Sequence, residues 1–357
     1  MLGLKKAEWV CVTFLLFAVF RLATSSAPMD WSAVRWSTFP RLDILFVALA
    51  VWVLKLSRQH RGFGVGVLLL LILSFYGLTG HTDEPFIPIR KYLGPEAIEL
   101  LGKLRYLLMT LALFAIGFMG YNHKNLIRDA ILKTRIILPF FFIVYLYPFV
   151  PLIIQPGHAA GVPDYDMLLS KIDIWLFLVH DPLLMLEKWI TPLLSEWMAF
   201  SYSSYGPIFA IVFGSLYLKE EDHPATEMIF MSTLALAIGY ASYTFIPARG
   251  PMFTQNFSIP LDLYYMKEFK ELYMDQPRID RDCFPSLHTA VAMISLFSAW
   301  KYIRPMFWII LPIVIFIPIS CAYLRYHYVV DVLAGILLAA LVMIFSWKLN
   351  QVSKKRA

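Results

Sequence analysis

"HYVVDVLAGILLAALVMIFSWK", residues 327–348, decides what kind of chain this is. From Val332 to Trp347 it carries no charge, and a run of ~20 mainly apolar residues is what an α-helix needs to cross a hydrocarbon core of about 30 Å. A histidine and an aspartate nevertheless stand at its head. Ionisable groups at membrane depth are costly and mark function first.

Working outward, comparable apolar runs recur from one end to the other, near residues 8–25, 42–57, 62–80, 104–121, 135–154, 196–218, 226–246, 286–302 and 305–323. With the run near 328–348 this predicts an all-α, polytopic integral membrane helix bundle of about ten transmembrane helices. The chain has 357 residues, 59% hydrophobic and 16% charged, with mean hydropathy +0.65. That is not the composition of a soluble domain. The first run follows Lys5 and Lys6 but carries no convincing cleavage pattern, so it is read as a helix rather than a signal peptide.

The net charge of +6 reflects where the cations lie, not a nucleic-acid partner. Lys5 and Lys6, then Lys55, Arg58 and Arg61, then Lys124, Arg128, Lys133 and Arg135, then Lys301 and Arg304, and finally Lys354, Lys355 and Arg356 fall on alternate connections. By the positive-inside rule both termini are cytoplasmic, and the heads of both histidine segments face the other side. Arg21, Arg35, Arg41, Arg90 and Lys91 run against this scheme. The expected location is an integral membrane, the inner membrane if the cell is bacterial.

No repeat or low-complexity tract divides the chain. We expect residues 1–155 to form a transmembrane scaffold and residues 156–350 the catalytic domain. Between them "DYDMLLSKIDIWLFLVHDPLLMLEKW" (164–189) carries Leu168, Leu169, Ile172, Trp175, Leu176 and Val179 at helical spacing with acids between. It reads as a helix lying in the interface, near 164–190, or as a short buried connector. The connection from 250 to 283 is rich in aromatic and charged residues and suits the roof of a site or, equally, a solvated covering.

In "HYVVD", residues four apart on a helix share a face, so the Asp331 carboxylate can accept a hydrogen bond from one nitrogen of His327 and leave the other to attack. The same pair also suits a self-satisfied helix end, or half of a metal site. A second stretch, "CFPSLHTA" (283–290), sets Pro285 where a helix begins, with Ser286 beside it and His288 one turn in. The free N–H groups of a helix start attract phosphate, and an imidazole suits proton transfer to a leaving oxygen. In "FIPARGP", Arg249 offers a planar fork matched to phosphate oxygens, and Arg325 offers a second. Each has a bland reading as a snorkelling arginine. Their coincidence at one membrane face describes a phosphoryl-transfer site. Cys11, Cys283 and Cys321 have no metal-ligand spacing, and a Cys283–Cys321 disulfide is open to them.

These residues resemble the type-2 phosphatidic acid phosphatase superfamily, whose third motif is Ser-Arg-x5-His-x3-Asp and whose second is Pro-Ser-Gly-His. "SCAYLRYHYVVD" matches at Ser320, His327 and Asp331, with Cys321 for the motif arginine; "PSLH" has Leu287 for glycine. The first motif, Lys-x6-Arg-Pro, survives only as "ARGP", with Ser242 where the lysine would stand. The pattern "FPSLH" with "YLxxHYxxD", and the "DYDMLLSKIDIWLF" segment, is similar to fungal inositol phosphorylceramide synthases and their bacterial relatives. The resemblance implies a six-helix catalytic core, His327 as nucleophile, Asp331 as its orienting group, and His288 as acid and base. Arg249, Ser286, Ser320 and Arg325 are the expected phosphate contacts, with neither metal nor cofactor. The donor is then a membrane phospholipid and the acceptor a lipid hydroxyl or water. A rival from another class is a transporter whose polar cluster holds a lipid phosphate without chemistry.

Overall fold

The computed structural model describes residues 2–23, 163–178, 181–219, 222–267 and 281–355, and 136–159 apart from 137, 141 and 145. The runs near 42–57, 62–80 and 104–121, and the cations around them, lie outside the described residues. Among the described residues there are helices and no strands. They are α1 (Leu2–Ala23), α2 (Val150–Ala159), α3 (Asp166–Phe177), α4 (Pro182–Leu186), α5 (Pro192–Ser203), α6 (Tyr205–Tyr217), α7 (His223–Phe245), α8 (Pro251–Thr254), α9 (Leu287–Tyr302), α10 (Arg304–Tyr323) and α11 (Val329–Lys355). Three of them, His223–Phe245, Arg304–Tyr323 and Val329–Val352, are long and apolar enough to cross a membrane, and this is a membrane protein.

The bundle is built around α9, which packs on α6, α7, α10 and α11. Its buried residues are Leu287, Val291 and Ile294 together with the small Thr289, Ala290, Ala292, Ser295, Ser298 and Ala299, and the small side chains let helices approach closely in lipid, where hydrophobicity does not drive helices together. Glycine takes this furthest at Gly335 of α11, where an added Cβ would lie 2.4 Å from the carbonyl oxygen of Ser286. The first helix, α1, packs along α7, and α2 packs against both.

The single span expected near 196–218 is two helices, interrupted at Ser204. Pro207 has no N–H to give the Ser203 carbonyl and its ring crowds that position, which breaks the ladder one turn earlier. The break sets Tyr202 and Tyr205 on two helices that both reach His288.

Away from the histidines, α7, α9 and α11 are tied together by Glu227. Its carboxylate accepts from Lys301 Nζ at 2.7 and 3.0 Å, from Asn350 Nδ2 at 2.8 Å, from Ser346 Oγ at 3.3 Å and from the Tyr302 hydroxyl. A buried carboxylate that loses its cation is left uncompensated. Lys301→Ala is therefore expected to lower stability by about 1–3 kcal/mol, read as a lower thermal midpoint of the purified protein in detergent.

Candidate functional site

The site is assembled on backbone hydrogen bonds among segments far apart in the chain. Cys283 N–H donates to the Ala248 carbonyl (3.2 Å), Met252 N–H to the Arg325 carbonyl (2.9 Å), and Ser286 N–H to the Asp331 carbonyl (3.0 Å). The turn containing Arg249, the segment leading into α9 and the segment leading into α11 are thus one unit. Gly250 has φ +101°, and a Cβ there would sit 2.9 Å from the Tyr326 carbonyl oxygen. Only glycine holds that conformation without strain, which accounts for the residue inserted between Arg249 and Pro251.

Underneath lies α3, whose acidic face is the buried one. Asp166, Leu169 and Asp173 are buried, whereas Met167, Leu168, Ile174, Trp175, Leu176 and Phe177 are exposed. Both acids are spent on main chain. Asp173 accepts from Val329 N–H and Val330 N–H, each at 2.7 Å, capping the start of α11. Asp166 accepts from Arg249 N–H at 3.0 Å, Gly250 N–H at 2.8 Å and the Tyr328 hydroxyl at 3.1 Å. Burial pushes the Asp173 carboxyl up to about 6, against the pull of its two N–H donors. The two acids are seven residues apart, two turns on one face. That spacing was the available signal.

His327 and His288 come together with ring centroids 5.9 Å apart. His327 precedes α11 rather than lying on it, so its partner differs from the helix-spaced expectation. Its Nδ1 is 2.9 Å from the Cys283 carbonyl oxygen and 3.7 Å from Asp331 Oδ2. A carbonyl only accepts, so Nδ1 carries a proton, and in the neutral ring Nε2 keeps its lone pair. Asp331 lies closer to other donors: its Oδ2 accepts from the Cys283 thiol at 2.8 Å and from Tyr328 N–H at 2.9 Å. The second of these closes the first turn of α11 in the manner of a capping box. His288 stacks on Tyr202 at 4.6 Å, meets Tyr205 edge-on at 4.5 Å, and has Nε2 3.1 Å from the Tyr202 hydroxyl. Neither tyrosine carried a motif that pointed to it.

Of the expected phosphate contacts, Arg249 has an exposed side chain stacked 5.5 Å from the Phe253 ring, and no carboxylate among the described residues pairs with it. The other three are otherwise engaged. Arg325, at φ 68°, gives its guanidinium to Glu187 at 3.3 Å and to the Ile259 carbonyl, 4.1 Å from the Phe257 ring. Ser320 is fully buried and donates to the Ile317 carbonyl at 2.7 Å within its own helix. Ser286, also fully buried, caps α9 by accepting from Thr289 N–H at 3.4 Å, and Pro285 stands outside the helix. The three cysteines are free. Cys321 faces Ser286 and Thr289 while Cys283 faces Asp331, so no disulfide joins them. Cys283 supplies the third donor that spacing alone did not reveal: its thiol, His327 and Asp331 cluster within 4.8 Å.

A family model described as the PAP2 superfamily matches residues 167–345. No curated protein and no solved structure matches the chain.

Asp173→Ala is expected to leave two N–H groups at the start of α11 without acceptors and to cost on the order of 1–3 kcal/mol, measured as a lower thermal midpoint. Gly250→Ala is expected to destabilise by at least ~1 kcal/mol through the positive φ and the crowded carbonyl. A wild-type midpoint for either variant would contradict the arrangement described.

Proposed function

The chain belongs to the PAP2 superfamily, and from that premise we propose that it is a membrane-embedded lipid phosphotransferase working through a phosphohistidine at His327. Membership itself carries phosphatase or phosphotransferase chemistry. The observation that supports the finer reading is the 5.9 Å between the imidazoles of His288 and His327, with the Nδ1 of His327 tied to a carbonyl.

In this mechanism the Nε2 lone pair of His327 forms a bond to the phosphorus of a donor lipid as the ester P–O bond breaks. His288, held by Tyr202, gives its proton to the departing oxygen, then takes one from the acceptor hydroxyl that attacks the phosphohistidine. Arg249 binds the non-bridging oxygens, on which charge accumulates. The Cys283 carbonyl fixes the tautomer, and Asp331 opposes the positive charge that develops on the ring.

The acceptor is assigned as a lipid hydroxyl, with transfer of a phospho-headgroup as in inositol phosphorylceramide synthases. That assignment rests on the likeness at "FPSLH", "HYVVD" and "DYDMLLSKIDIWLF". Water as acceptor would make the protein a lipid phosphate phosphatase. The site is read as facing the non-cytoplasmic side, on the distribution of Lys and Arg.

Purified protein incubated with a panel of phospholipids, with and without hydroxylated lipid acceptors, should yield a new phospholipid rather than free phosphate. Headgroup-phosphate label should be trapped on the protein in an acid-labile, base-stable form. His327→Ala should lower turnover at least ~1,000-fold and abolish trapping, and His288→Ala should lower turnover by about 100- to 10,000-fold. Turnover surviving in His327→Ala would end this mechanism.

A further inference from the structure

The proposed chemistry leaves one group of the site without a role, the thiol of Cys283. Its Sγ lies 2.8 Å from Asp331 Oδ2 and 3.6 Å from His327 Nδ1, and that nitrogen lies 3.7 Å from the same carboxylate oxygen. The other oxygen, Asp331 Oδ1, is buried and has no hydrogen-bond partner among the described residues. All three side chains are at least 95% enclosed.

Zinc bonds thiolate sulfur at about 2.3 Å and imidazole nitrogen or carboxylate oxygen at about 2.0–2.2 Å, which sets tetrahedral ligand atoms roughly 3.3–3.8 Å apart. The sulfur–nitrogen and nitrogen–oxygen separations already have these values, and the sulfur–oxygen contact need only open as the thiol loses its proton. Thiolate and imidazole together favour a thiophilic ion over magnesium or calcium.

We propose that Cys283, His327 and Asp331 form a binding site for zinc or a like thiophilic divalent cation, and that its occupation switches the nucleophile off. The ion takes the place of the thiol proton, so each ion bound releases one proton. His327 exchanges its Nδ1–H bond to the Cys283 carbonyl for a bond from Nδ1 to the metal, and the displaced ring proton moves to Nε2. Nothing is oxidised or reduced. With Nε2 protonated, the lone pair that would attack phosphorus is gone. Only this switching clause rests on His327 being the nucleophile; the binding does not.

The test is titration of metal-free, full-length protein in detergent with Co²⁺ and then Zn²⁺, with lipid turnover followed in the same samples. The expected result is a thiolate-to-cobalt charge-transfer band at one ion per chain, bleached by zinc. The band should be retained in Cys321→Ser and Cys11→Ser and lost in Cys283→Ser, with zinc affinity weakened on the order of 100-fold or more. Apparent affinity should rise about tenfold per pH unit, since one proton leaves.

Zinc X-ray absorption on the wild-type protein, showing one sulfur at about 2.3 Å and nitrogen or oxygen at about 2.0–2.2 Å, tests the ligand set without any variant. Absence of the band, its persistence in Cys283→Ser, or a sulfur-free zinc shell would overturn the site. Full turnover at saturating zinc would overturn the switch. Protein that binds cobalt as expected yet turns over no phospholipid upholds the site and sinks the catalytic reading instead.

Discussion

Two carboxylates on one face of α3 carry the architecture of the site. A helix that starts inside an apolar bundle exposes N–H groups for which neither lipid nor side-chain carbon offers an acceptor, and each one left bare costs free energy on the scale of a lost hydrogen bond or more. Asp173 meets two of those donors at the head of α11, and Asp166 meets two more in the turn at Arg249 and Gly250. One short helix therefore sets both the strand of chain that ends in His327 and the turn that displays Arg249. The apolar residues of α3 are left for the outside, which suits a helix whose other neighbour is lipid.

Above that base, the chemistry depends on hydrogen bonds from main chain more than from side chain. The Cys283 carbonyl, not the carboxylate of Asp331, is nearest to the Nδ1 of His327. Asp331 binds the thiol of Cys283 and the N–H of Tyr328, so it organises the loop that delivers the carbonyl. A carboxylate can thus act on a histidine at one remove. On the far side, Tyr202 and Tyr205 enclose His288 because Pro207 divides what would otherwise be one span.

Much of the helical framework was legible because it is written in composition. Apolar runs near 226–246, 286–302, 305–323 and 328–348 correspond to α7, α9, α10 and α11, with ends displaced by a few residues except where α11 continues into its polar tail. What could not be read was which distant partners a polar face would meet. On α3 the periodicity was visible, but the backbone donors that bury Asp166 and Asp173 lie on segments remote in the sequence. Arg325 stands two residues before His327, close enough to suggest a shared task. Its left-handed backbone conformation sends the guanidinium instead to Glu187 and the Ile259 carbonyl. Ser286 and Ser320 occupy motif positions and serve their own helices. Cys283 was visible only as a member of a motif, since the partners that give it chemical meaning lie 44 and 48 residues away.

The contact of Gly335 with Ser286 bears on how rigid the gap between the imidazoles is. At that crossing the backbone of α11 meets the Ser286 carbonyl at the cap of α9, with the Thr289 side chain beside it. A β-branched side chain is stiff at χ1, so rotamer hopping, the commonest fast motion of a packed interior, has little there to move. The distance between the two rings inherits the stiffness of peptide geometry and is gauged by the smallest residue in the chain.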